Sequence, residues 1–145
     1  MARRDSAFAV ILRRDQVLVV KPRGQRKWAL PGGGIKSEET PWIAALREVR
    51  EETGLEATLL ALTGMYRRRD GSLAFVFAAR VGWQKVPEGP INEIDKRRWM
   101  PLAKAMRRLP ESSRIRLVDA LRQPSLYRSH PVARYERQTL RFSMG

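Results

Sequence analysis

The chain has 145 residues, 43% of them hydrophobic, with a formal charge of +14 and no cysteine. That length suits one globular domain rather than two, and the apolar content argues against wholesale disorder. Without cysteine there are no disulfides, thiolate metal sites or cysteine nucleophiles, so any metal must sit on oxygen, and a reducing, cytoplasmic setting is expected. The basic excess, mostly arginine, favours anionic partners, because guanidinium makes bidentate phosphate contacts.

The opening stretch MARRDSAFAVILRRD carries an apolar run of about seven residues closed by charge on both sides, too short for a membrane span of ~18. It is read as a first strand, Ser6 to Leu12, followed by a second, Val17 to Lys21, with a hairpin turn at Arg13-Arg14-Asp15-Gln16. The second run is apolar without alternation, as expected of a central strand covered on both faces. A basic loop, Lys21 to Lys27, leads into Trp28-Ala29-Leu30 and the glycines Gly32, Gly33 and Gly34. Arg23, Arg26 and Lys27 are candidate phosphate contacts, with a solvated connector as the competing reading. Trp28 is expected to pack in the core rather than to stack on a ligand.

The densest signal follows. Thr40 is a good N-cap, Pro41 fits the first helical position and Gly54 supplies a left-handed stop, so a helix is predicted from Pro41 to Thr53. Trp42, Ala45, Leu46 and Val49 recur at helical spacing and are expected to form its buried face. Glu48, Glu51 and Glu52 fall on another face, their Cβ atoms within about 5–6 Å at spacings of three and four. Like charges so placed repel, whereas a hard divalent cation, Mg²⁺ above all with Mn²⁺ as substitute, prefers carboxylate oxygen and is completed by substrate phosphates. A solvated acidic helix face is the alternative for the three glutamates alone.

The glycine loop and this helix together read Gly33, five residues, Glu39, seven residues, then Arg47-Glu48-Val49-Arg50-Glu51-Glu52-Thr53-Gly54-Leu55. Over residues 33–55 this resembles the Nudix hydrolase box at every fixed position. The resemblance implies an α/β/α sandwich with a mixed sheet, and hydrolysis of a pyrophosphate bond in a nucleoside diphosphate linked to another group. It implies Glu48, Glu51 and Glu52 as metal ligands, the carbonyl of Gly32 as a further ligand, Arg47 orienting a glutamate, and Glu39 supporting the site. Glu38 stands where the family commonly has glycine. With Lys27-Trp28 and the triple glycine, this is similar to the branch acting on diphosphoinositol polyphosphates and dinucleoside polyphosphates.

Beyond the helix, Ala57 to Tyr66 and Ser72 to Val81 are expected strands around a turn marked by Asp70-Gly71. Arg67 and Arg68 sit at that turn and are further candidate phosphate contacts. Trp83 to Asn92 is an irregular loop, followed by a strand over Arg97 to Met100. Glu93 resembles the late carboxylate that often joins Nudix sites, with an exposed loop glutamate as the alternative. Pro101 to Leu109 and Glu111 to Gln123 carry helix patterns. In the second, Ile115, Leu117, Val118 and Leu121 form the expected apolar stripe, covering the sheet opposite the first helix.

A domain over residues 1–123 and a basic tail over 124–145 are the expected organisation. The tail interleaves arginines with Tyr127, Tyr135 and Phe142 and holds the sole histidine, His130; packing on the domain or on a partner subunit of a homodimer is preferred over stacking on single-stranded nucleic acid. The expected partner is a small phosphorylated molecule, not a membrane. The competing function is a non-catalytic nucleic-acid-binding module on the same fold, and a sensor of a phosphorylated metabolite is the second rival.

Overall fold

A computed structural model describes residues 4–123. The elements in chain order are β1 (Ser6–Arg13), β2 (Gln16–Pro22), β3 (Gly32–Gly34), α1 (Pro41–Thr53), β4 (Ala57–Arg67), β5 (Leu73–Val81), β6 (Ile94–Pro101), α2 (Leu102–Arg108) and α3 (Glu111–Leu121). The tail calls, with Tyr127, His130, Tyr135 and Phe142, lie outside the described residues.

One six-stranded sheet runs β4-β5-β1-β2-β6, with β3 paired to β1. Only β1 and β5 are parallel; every other pairing is antiparallel, so the sheet is mixed, as expected. The β1–β2 hairpin closes through Arg13↔Gln16, leaving Arg14 with φ 57° in the turn. The β4–β5 turn is fixed by Asp70, which accepts from the backbone N–H and hydroxyl of Ser72, and by Gly71 at φ 86°.

Alternation along β1 divides the core between two faces. Val10 and Leu12, with Val17 and Val19 of β2, pack against Leu102, Ala105, Leu117 and Leu121 of α2 and α3. Ala9 and Ile11, with Leu18, pack against Val49 and Leu55 on the α1 side. The two inner strands are therefore covered twice, which explains why their sequences do not alternate. Full burial of Ile11, Leu18, Leu30 or Leu55 each contributes roughly 1.5–3 kcal/mol. No helix of the described residues is long and apolar enough to cross a membrane.

Three sequence expectations are corrected. Pro31–Gly34 reads as loop, yet Gly32–Gly34 forms a short strand because β1 offers it an edge: Phe8↔Gly32, Ala7↔Gly33, Ser6↔Gly34. Trp42 is 52% exposed rather than buried. The cause is the close approach of α1 to Ala7 and the glycine strand, which admits Ala44, Ala45 and Val49 and pushes the larger ring aside. In α3 Leu117, Val118 and Leu121 are buried as expected, but Ile115 is 47% exposed and Arg116, at 9%, takes the inward position. The aromatic rings of Phe8 and Tyr66 lie beneath that position and attract a guanidinium.

Candidate active site

The site begins with the ends of α1. Thr40 Oγ1 accepts from the Ile43 N–H at 3.3 Å, and Gly54, at φ 74°, closes the helix by donating to the Arg50 carbonyl at 2.9 Å. Fixed ends set the rotation of the helix, and with it the direction of Glu48, Glu51 and Glu52.

Arg47 is the hub. Its Nε donates to Glu39 Oε2 at 2.6 Å and its Nη2 to Glu39 Oε1 at 2.9 Å, a bidentate pair joining the loop to the helix. Nη2 also donates to the Gly34 carbonyl at 2.9 Å, and Nη1 to Glu48 Oε1 at 3.0 Å and Glu51 Oε2 at 3.1 Å. The Arg47 side chain is only 15% exposed, so these contacts act in a partly dry setting. Glu39 also accepts from the Lys36 N–H. The hydrogen bonds from Arg47, then that from Lys36, hold its carboxyl down to about 2. The arginine is held charged by the same bonds, Glu39 first.

The other carboxylates are shifted in the opposite direction. Burial, above all, pushes Glu52 up to about 8 against the hydrogen bond from Gly32, with repulsion from Glu48, Glu51 and Glu93 adding to it. Glu48 is likewise raised, chiefly by burial. Glu52 Oε1 accepts from the Gly32 N–H at 2.7 Å. A Cβ added to Gly33 would stand 2.6 Å from Glu48 Oε1, so glycine is the residue that lets this carboxylate lie against the strand. Each of Glu48, Glu51 and Glu52 thus commits one oxygen to a protein donor. Among the described residues no hydrogen bond engages the second.

Such a donor set suits a hard cation: oxygen only, partly dry, and short of positive charge. The carboxylates are not already drawn into a cage, since no three acidic side chains among the described residues converge at ligand distance. Arg47 holds Glu48 and Glu51 on its own side.

The loop before β6 is clamped to the C-terminal end of α1. Arg97, 8% exposed, donates from Nε to the Glu52 carbonyl at 2.9 Å and from Nη1 to the carbonyls of Pro87 and Gly89 at 2.7 Å. Asn92 donates from Nδ2 to the Glu51 carbonyl at 2.7 Å. Glu93, exposed on this loop, is thereby brought close enough to add to the repulsion at Glu52. Arg97 and Asn92 carry no sequence signal of this role, because their partners are backbone carbonyls.

Arg23 is exposed and also contacts the same loop: its Nη2 donates to the Asn92 carbonyl at 2.6 Å and its Nε lies 3.6 Å from Asp95. Arg26 and Lys27 are exposed on the connector. Trp28 packs against the α2–α3 side of the core, with Lys21 Nζ 4.8 Å over its ring. Arg67 is exposed, while Arg68 lies over Phe8 on the sheet face opposite α1.

A mixed sheet between helices, with a glycine strand feeding a glutamate-bearing helix, defines the class. Residues 2–121 match the NUDIX domain family, and the chain belongs to the Nudix hydrolase family. It is 32% identical over 122 residues to a MutT-like protein of Streptomyces ambofaciens, spanning 80% of this chain and 75% of that one. It is 34% identical over 100 residues to the human diphosphoinositol polyphosphate phosphohydrolase 2, spanning 64% of this chain but only 53% of the relative. Among solved structures it resembles a NUDIX hydrolase from Nitrosomonas europaea, with a TM-score of 0.71 at 23% identity over 82% of this chain and 88% of the other. At that identity the likeness speaks for the fold alone.

Proposed function

We propose that the chain is a divalent-metal-dependent pyrophosphohydrolase acting on a nucleotide-type substrate, with Mg²⁺ as its metal. The observation that carries this is the pairing of raised, partly dry carboxylates Glu48 and Glu52 with the glycine strand that touches both. Buried negative charge of this kind is unfavourable unless a cation or proton compensates it. Glu48, Glu51 and Glu52 are the residues that would hold the metal through their second oxygens, with the carbonyl of Gly32 as a further ligand. When bound, Mg²⁺ supplies Lewis-acid neutralisation of the charge that spreads over the phosphoryl oxygens during attack by water.

The chain's own residues do the positioning. Arg47 holds Glu48 and Glu51 in register and ties both to Glu39 and the glycine strand. The Gly32 N–H fixes the orientation of Glu52. Arg97 and Asn92 set the height of the loop that carries Glu93, whose carboxylate serves to orient or deprotonate water.

A panel of diphosphate compounds assayed with Mg²⁺ and with Mn²⁺ tests the reading, scored for released nucleotide or phosphate. Metal-dependent release from at least one nucleotide-type compound is expected. An all-negative panel combined with tight, steeply salt-dependent nucleic-acid binding would establish the non-catalytic module instead.

A further inference from the structure

The end of the sheet remote from the glutamates carries a ladder of guanidinium groups and indoles that the hydrolytic chemistry does not use. Arg13 closes β1, five residues beyond Phe8, whose cross-strand partner Gly32 bonds Glu52. At the rise of an extended strand, that separation is roughly 17 Å. The Arg13 guanidinium lies 3.9 Å from the ring centroid of Trp99 on β6 and 5.1 Å from that of Trp83, just beyond β5. Arg14, in the hairpin turn, lies 5.1 Å from the same Trp83 ring.

Each rung has a local cause. Alternation puts Arg13 on the same face of β1 as Ile11, and Trp99 packs on the Ile11 cluster because its cross-strand partner is Leu18. Val81 and Val86 pack on that cluster too, so Trp83 lies on a short span tied down on both sides. A strut that merely held this span would bury its ring, since burial is the main contribution of an indole to a fold. Trp83 is instead 73% exposed, against 52% for Trp42.

The cations are equally open. A guanidinium set over a ring commits its flat face and keeps its five N–H donors in its own plane. Among the described residues, no hydrogen bond or ion pair engages the side chain of Arg13 or Arg14, the exposed Asp15 beside them included. Burial lowers the Arg13 pKa, and the charge of Arg14 lowers it further, so the two are close enough to repel.

Open in-plane donors beside an open aromatic face match a polymer that presents phosphates and unpaired bases in succession. A duplex hides its base faces, and an isolated phosphate leaves the ring unused. The formal charge of +14 draws in the same polyanion.

We propose that Arg13, Arg14 and Trp83 form a docking surface for single-stranded nucleic acid, in which a base stacks on Trp83 and the two arginines hold flanking phosphates. The surface is separate from the glutamates and does not depend on the pyrophosphohydrolase reading.

The test titrates the full chain, free of divalent metal, against fluorescently labelled oligothymidylate, oligouridylate and a duplex, with anisotropy read at several salt concentrations. The variants are Trp83→Ala, Arg14→Gln and, as a charge control, Arg107→Gln on the exposed side of α2. Trp83→Ala should weaken single-strand binding by roughly 10-fold and duplex binding by less than about twofold. Because it removes no charge, the slope of log affinity against log salt should not change. Arg14→Gln should weaken single-strand binding by roughly 3-fold and flatten that slope by about 0.7, and Arg107→Gln should change affinity by less than about twofold.

Loss with either single strand sustains the proposal. A wild type that binds neither overturns it, as does a folded Trp83→Ala that binds both as the wild type does. Turnover of small diphosphate compounds by Trp83→Ala should stay within about twofold. Normal strand binding with lost turnover would instead make the ladder a strut for the loop that carries Glu93. Retention on anionic phospholipid vesicles that Trp83→Ala abolishes, with strand binding unchanged, would make the surface a membrane contact and overturn the proposal. Should Trp83→Ala fail to fold, the salt slope of Arg14→Gln decides.

Discussion

On the α1 face of β3, one guanidinium serves three carboxylates: Arg47 reaches Glu39, Glu48 and Glu51 and the Gly34 carbonyl as well. On the opposite face, Arg68 and Arg116 share the Phe8 ring and meet no carboxylate among the described residues. Both faces are out of charge balance, in opposite senses, and the strand between them has no side chains. The comparison teaches how a site can be rigid before its ligands arrive. Ion pairs to Arg47 fix the geometry of Glu39, Glu48 and Glu51, whereas Glu52, which Arg47 does not reach, is held by the Gly32 N–H and left without a counter-charge.

Substitutions on the acidic face should separate these two uses. The largest effect is expected from Glu52→Gln, which keeps the shape and the bond from Gly32 but removes the charge. Mg²⁺-dependent turnover should fall by at least about 10²-fold with an unchanged circular dichroism spectrum. Near-normal turnover by the folded variant would mean that the uncompensated carboxylates are not where the chemistry occurs.

Arg47→Gln attacks the fixing function instead. Because Glu39 would lose its bidentate partner, kcat should drop by about 10–100-fold, and the midpoint of urea denaturation should fall. A loss of turnover without any loss of stability would show that Arg47 is not the structural hub of this face.

Gly33→Ala sharpens the contrast further, since the added methyl meets the carboxylate of Glu48 and not backbone. Apparent Mg²⁺ affinity, read from the metal dependence of the rate, should weaken by about 10-fold, while stability changes by less than about 1 kcal/mol. A variant that is instead grossly unfolded would show the strand to be tighter than its contacts suggest.

The smallest effect is a pH trend. Glu52 titrates near 8 in the folded chain and near 4.5 when unfolded, so the folded state binds more protons between those values and loses stability as pH rises through the window. Glu39 has the opposite sign: held to about 2, it contributes stability above its unfolded value and loses it as pH falls toward 2. The metal-free melting temperature should therefore decline by a few degrees from pH 5 to pH 8. Added Mg²⁺ should raise it more at pH 8 than at pH 5, and an equal gain at both values would separate the metal from Glu52.

The sequence reached the acidic face far better than the basic one. Helix α1 was legible to the residue, because Thr40, Pro41 and Gly54 act on their own few neighbours, and the spacing of Glu48, Glu51 and Glu52 is set by one turn of helix. The errors lay where packing decides. Trp42 belongs to a helical stripe by spacing, but the glycine strand and Ala7 bring α1 so close that only small side chains fit beneath it. Ile115 and Arg116 exchanged places because α3 lies over aromatic rings contributed by β1 and β4.

What the amino-acid order fixed without help was the local chemistry: where α1 starts and stops, which acidic side chains share its face, and the glycines that permit close approach. What only the folded chain decided was which distant residues meet. Phe8, Tyr66, Arg68 and Arg116 come together because β1 pairs with β5, β5 pairs with β4, and α3 crosses above them. Spacing along a helix is dictated by covalent geometry over a few residues, whereas contacts between segments some fifty residues apart depend on how strands choose their neighbours, and no local pattern records that choice.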